Sequence, residues 1–183
     1  MRRLLLAGAL AASLALGAAA CGSIDPDAAV VNGEAIKVRD LETDVAALVK
    51  LNAQPGVTPG VALPSAAVRQ ILSFEILSLL FVTDTAEPIS VDGAAIEAAS
   101  AELGGDNALG PAWLTAPAEV RERLARASAI TNAAQQRSGG QAEYNQKVSE
   151  LLTAAKVTVN RRYGEWDPTT AQVGSLVPPL TTR

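Results

Sequence analysis

Apolar positions change their period several times along this chain, and each change marks an element. Ala28-Ala29-Val30-Val31 and Glu34-Ala35-Ile36-Lys37-Val38 read as two short β runs around Asn32-Gly33. Asn-Gly supplies the positive φ angles that a two-residue hairpin turn requires. Leu41, Val45, Leu48 and Val49 then recur at helical spacing, so a helix opens at Arg39 or Asp40 and ends before Gln54-Pro55-Gly56. Between Pro64 and about Ala86, Ile71, Leu72, Phe74, Ile76 and Leu77, followed by Leu79 to Val82, surround the axis almost completely. A helix apolar all round belongs in a core or under a partner. Arg69, Glu75 and Asp84 interrupt the run, and its uninterrupted part is shorter than the roughly 20 residues a bilayer span needs.

Beyond Pro88 the pattern changes again. Ser90 is placed to cap a short helix through Leu103, despite Gly93, and Gly104 to Asn107 break it before a loop that carries Trp113. Thr115 and Pro117 open a polar helix over 116–137, with a thin apolar stripe of Val120, Leu124, Ala127 and Ile130. On it Glu119 stands four before Arg123, and Glu122 four before Arg126, the favourable order for helical ion pairs. After Gly139-Gly140, a helix over 141–155 aligns Tyr144, Val148, Leu151, Leu152 and Ala155. Lys156 to Asn160 is a third β run with no neighbour in sequence; its partner is the hairpin upstream, because an isolated strand leaves backbone groups unpaired.

The expected fold is therefore mainly α, with a small β-sheet formed by an N-terminal hairpin and a C-terminal strand. Val31, Ile36, Val157 and Val159 close that sheet, and Tyr163 and Trp166 cap it, two of only six aromatic residues in the chain. Residues 168–183, with Pro168, Pro178 and Pro179, read as a flexible tail.

The N-terminus has a different character. Arg2 and Arg3 precede an uncharged run from Leu4 to Ala19, and Ala18-Ala19-Ala20 leads straight to Cys21. This is the layout of a cleaved export signal. Ala-Ala-Cys-Gly-Ser after an apolar run resembles the bacterial lipobox, which implies diacylglycerol on the Cys21 sulfur, cleavage before it and acylation of the new amino terminus. Cleavage after Ala20 by an ordinary signal peptidase, leaving a free thiol, is the alternative. The expected organisation is a lipoprotein signal peptide at 1–20, a tether at 21–27, a helical domain at 28–167 and the tail. Acyl chains such as palmitate would hold the protein at the outer face of the cell membrane.

Charge and composition then remove whole classes of function. Without Arg2 and Arg3, the 15 basic residues fall to 13 against 19 acidic ones, a net charge of −6. That speaks against nucleic acid, whose binding needs clustered cations. Histidine is absent, which removes the commonest general base, the commonest metal ligand and every Ser-His-Asp or Cys-His arrangement. Cys21 is the only cysteine, and no Gly-rich strand-to-helix phosphate loop occurs. Asp25/Asp27 and Asp40/Glu42/Asp44 lack calcium-loop spacing. No catalytic residue, cofactor or metal site is expected.

Val30-Val31-Asn32-Gly33-Glu34-Ala35-Ile36, with Leu41 and the helix after it, resembles the opening of the SurA and PrsA family of exported chaperones. Val157-Thr158-Val159-Asn160-Arg161-Arg162-Tyr163-Gly164-Glu165-Trp166-Asp167 resembles the end of the same domain, where a strand returns to the hairpin; Arg161 departs from the proline of that pattern. The resemblance covers about residues 28 to 167. Many members insert a parvulin prolyl-isomerase domain, for which this chain has no room. The resemblance thus implies ATP-independent holding of unfolded exported polypeptides in an apolar crevice, without isomerase activity. Phe74, Leu77, Leu80, Phe81 and Trp113 are the candidate lining, with core packing as the plainer role of each. The alternative function is an envelope interaction subunit for one dedicated protein partner.

Overall fold

The computed structural model describes residues 26–51, 65–105 and 111–176. The signal peptide, Cys21, Asp25 and the part of the expected tail beyond Leu176 lie outside these residues. Two strands, β1 (Asp27–Val31) and β2 (Glu34–Lys37), lead into helix α1 (Val38–Leu51). Helices α2 (Ser65–Val82) and α3 (Gly93–Leu103), a 3-10 helix (Pro111–Thr115), α4 (Ala118–Arg137) and α5 (Gln141–Ala154) follow. The chain then returns as β3 (Val157–Val159), followed by a hairpin of β4 (Glu165–Asp167) and β5 (Gln172–Gly174). The protein is mainly helical, with a small antiparallel sheet joining the N-terminal hairpin to a C-terminal strand, as the apolar pattern predicts.

Asn32 and Gly33 both take positive φ, 51° and 97°, which makes the two-residue turn that the Asn-Gly pair predicts. β1 is the centre of the three-stranded sheet, with β2 on one side and β3 on the other. Val31 faces Val157, and Ala29 faces Val159. The expected tether ends one residue early, because Asp27 already pairs with Lys37.

Central placement of α2 follows from its composition. Its 18 residues are long and apolar enough to cross a membrane, yet here they pack against α1, α4, β1 and β5. Leu72, Ile76 and Leu80 are fully buried in one cluster with Val31, Leu41 and Val45. A second cluster gathers Trp113, Val120 and Leu124, and a third Phe81, Ile89 and Ile130.

Local departures from expectation have local causes. Asp92, not Ser90, caps α3, its carboxylate accepting from the Ala95 amide at 2.9 Å. Helix α4 starts at Ala118, since Thr115 ends the preceding 3-10 helix. Residues 168–174, read as tail, are an ordered turn and strand. Asp167 organises that turn by accepting from the Thr169 amide and the Thr170 hydroxyl, both at 2.8 Å. These bonds also hold its carboxyl below the usual range, the Thr170 bond foremost.

Candidate functional site

Asn32 does more than turn the chain. Its amide and side-chain Oδ1 bond the carbonyl and amide of Lys156, each at 2.9 Å, while its Nδ2 donates to Thr83 Oγ1 at the end of α2. Asn160 ends the same strand: its amide donates to the Ala28 carbonyl at 2.9 Å and its side chain to the Asp27 carbonyl at 3.2 Å. Two asparagines thus fix both ends of β3 against β1, and Arg161 enters the following turn without disturbing that exit.

The aromatic pair after β3 divides its work. Tyr163 is buried, and its hydroxyl donates to Glu42 on α1 at 3.2 Å. Arg162 bonds the same carboxylate and lies 4.8 Å from the centre of the Tyr163 ring. Burial is the main reason the Tyr163 phenol is pushed up to about 12. Gly164 then has φ of 133°, and a Cβ there would lie 2.0 Å from the Gly174 carbonyl oxygen, so no other residue fits. Trp166 pairs with Val173, whose amide donates to Ser73 Oγ on α2 at 2.8 Å. The terminal hairpin is therefore tied to the central helix. Val31, Ile36, Val157, Val159, Tyr163 and Trp166 all belong to one apolar cluster, the closure expected of them.

Between α5, β3 and this hairpin runs an open groove of about 1220 Å³. Tyr144, Val148 and Leu152, successive turns of one α5 face, form a wall. Val157, Thr158 and Val159 run along a second side, and Trp166, Ala171 and Leu176 form the third. Leu176 is 51 % exposed.

Of the five candidate lining residues, Leu77 alone borders this groove. Leu80, Phe81 and Trp113 are buried to within 2 % and do not border this groove, although Phe81 borders a separate small cavity of about 130 Å³ with Ile89 and Ala134. Trp113 donates to Ser100 Oγ at 3.2 Å and packs on Gly104, where an added Cβ would come within 3.1 Å of its ring. Phe81 stacks on Tyr144 with centroids 5.9 Å apart, and Phe74 is half-buried against the Trp113 cluster. Phe74, Leu80 and Phe81 are core because neighbouring elements cover the sides of α2 on which they lie, and Trp113, on the 3-10 helix, is enclosed in the cluster with Val120 and Leu124. The groove uses the α5 stripe, which the sequence displays at helical spacing, and a strand edge, which only topology reveals.

A second polar constellation was not foreseen. Asp44 on α1 is fully buried, and Arg123 on α4 grips it with two bonds, Nε to Oδ2 at 3.1 Å and Nη2 to Oδ1. Glu75 on α2 hydrogen-bonds the same carboxylate. Burial, followed by the adjacent Asp44 charge, pushes the Glu75 carboxyl up to about 8. Burial raises Asp44 as well, against the pull of Arg123. Glu75 is accordingly a proton donor to Asp44 at neutral pH. Arg123 forgoes the expected pairing with Glu119 for this site, whereas Glu122 and Arg126 do meet at 3.1 Å. Among the described residues, the other acids considered as cation ligands are also paired: Asp27 with Lys37 at 2.6 Å, Asp40 with Arg39 at 3.3 Å, Glu42 with Arg162. Among the described residues, Asp44 and Glu75 line none of the three cavities bordered by α5, by α1 or by Phe81.

No protein-family model matches the chain, and neither a curated protein nor a solved structure matches it.

Proposed function

We propose that this chain is a lipid-anchored extracytoplasmic chaperone-like protein that holds unfolded exported polypeptides without ATP and without isomerase activity. The groove carries the reading. Its volume exceeds the roughly 300–1,000 Å³ of small-molecule sites, and Tyr144, Val148, Leu152, Trp166 and Leu176 give it apolar surface among polar side chains that include Asn145, Arg161 and Glu165. Hydrophobic burial in such a groove is non-directional, so it accepts many sequences, as a holdase requires. The lipobox-like layout at Cys21 supports placement at the outer face of the cell membrane, where such clients emerge.

The purified full chain is expected to suppress aggregation of a chemically unfolded exported protein with no nucleotide present. Ser149 lies exposed on α5 at the groove, so Ser149→Arg should lower suppression severalfold without changing the melting temperature. Absence of suppression by the parent chain at several-fold excess overturns the proposal. Recovery of one stoichiometric partner from cells, in place of a spread of clients, favours the dedicated interaction subunit.

A further inference from the structure

The two edges of the three-stranded sheet are not alike. β2 carries Glu34 and Lys37, charges that guard an exposed edge against pairing. β3 is Val157-Thr158-Val159, with no charge in the strand. Its register with β1 fixes where its backbone points. The Lys156 carbonyl and the Asn160 amide both bond the β1 side of the sheet. Backbone direction alternates along a strand, so Thr158 also faces β1 while Val157 and Val159 turn the other way. Among the described residues β3 pairs with β1 alone. Each of these valines therefore presents one donor and one acceptor on the outer edge.

That edge opens into the groove. Three consecutive β3 residues line it although their side chains alternate between sheet faces, the arrangement expected when the approach is along the strand edge. A backbone laid there would direct every second side chain toward the apolar wall of Tyr144, Val148 and Leu152. Pro178 and Pro179, close after Leu176 in sequence, have no amide to donate to such an edge.

We infer that the groove binds its clients by strand addition: an extended polypeptide segment with apolar side chains at alternate positions pairs with the open edge of β3. The inference rests on the holding function proposed above and specifies its mode. Main-chain pairing supplies affinity without sequence demand, and alternate side chains supply the preference for strand-forming segments. Segments of this type are the most aggregation-prone parts of an unfolded chain.

The test uses the full chain and a short fluorescent peptide of alternating valine and serine. Two further peptides carry N-methyl groups on one or the other alternate set of amides. Strand addition predicts that one set loses binding by about tenfold or more, the effect of two lost hydrogen bonds, while the other set binds like the parent. Val159→Pro, which removes one outward amide that β1 does not use, is expected to weaken the parent peptide about threefold, the effect of one lost hydrogen bond. Equal binding by all three peptides overturns strand addition, and if aggregation suppression persists the holding function stands without it. No peptide binding together with no suppression overturns both. A dimer that the peptide fails to dissociate assigns the edge to a second copy of this chain and overturns the client mode.

Discussion

Where α1, α2 and α4 meet, Asp44 receives two hydrogen bonds from Arg123 and one from Glu75, and no solvent reaches it. At the outer edge of β3, the backbone groups of Val157 and Val159 have no partner among the described residues, and a groove of about 1220 Å³ lies before them. The first region satisfies its polar groups internally and is sealed. The second leaves polar groups of fixed direction beside apolar walls. Buried polar groups are costly unless paired, whereas backbone groups at an open edge bond water; the proposed client mode has a strand displace that water at the second region. Large apolar residues alone do not mark it: Phe81, Leu80 and Trp113 lie in the sealed parts of the molecule.

Breaking the sealed region should have the largest effect. Arg123→Ala leaves the fully buried Asp44 without its cation and is expected to cost about 3 kcal/mol in urea unfolding, since an uncompensated buried charge is severely destabilising. Groove occupancy by a peptide should survive in the fraction that remains folded. A loss below 1 kcal/mol in that titration contradicts the paired-carboxylate account.

Gly164→Ala acts on the other side of the comparison. The added Cβ meets the Gly174 carbonyl at 2.0 Å and the backbone stands at φ 133°, so β4 and β5 must separate. Strain of this kind costs about 2 kcal/mol. Because the hairpin supplies one wall of the groove, aggregation suppression should fall more than the melting temperature alone accounts for.

The acid pair also sets a pH dependence. Glu75 holds its proton up to about pH 8 in the folded chain but ionises near 4.5 when unfolded. The folded state therefore binds the extra proton between those values, and stability falls as pH rises through that window and levels off above it. Glu75→Gln keeps a donor for Asp44 without an ionisable group, and it should flatten the dependence of melting temperature between pH 5 and pH 8. An unchanged slope places the proton elsewhere.

Local signals carried most of the fold. The Asn-Gly turn, the 3.6-residue spacing of Leu41, Val45 and Leu48, and the β run after α5 each report on neighbours within a few residues. The apolar surround of α2 announced burial but not which side is covered by which element, so Leu80 and Phe81 were read as possible lining. The β4–β5 hairpin was hidden by Pro168 and the threonines, although Asp167 followed by Thr169 and Thr170 carries the signal of an Asx-type turn. Asp44, Glu75 and Arg123 meet across three helices, and Arg123 had a plausible partner in Glu119 one turn away. Nothing local distinguishes the two choices. The open β3 edge likewise becomes visible only when the order β2-β1-β3 is known.

The central claim is that clients enter along β3 and α5 and do not simply adhere to exposed apolar side chains. A photo-crosslinking residue placed at Ser149 in the groove, and in a second protein at Leu114, the most exposed large apolar side chain described at 67 %, separates the two. With an unfolded exported client, adducts at position 149 and few at position 114 are predicted. Equal or stronger crosslinking at position 114 contradicts the account.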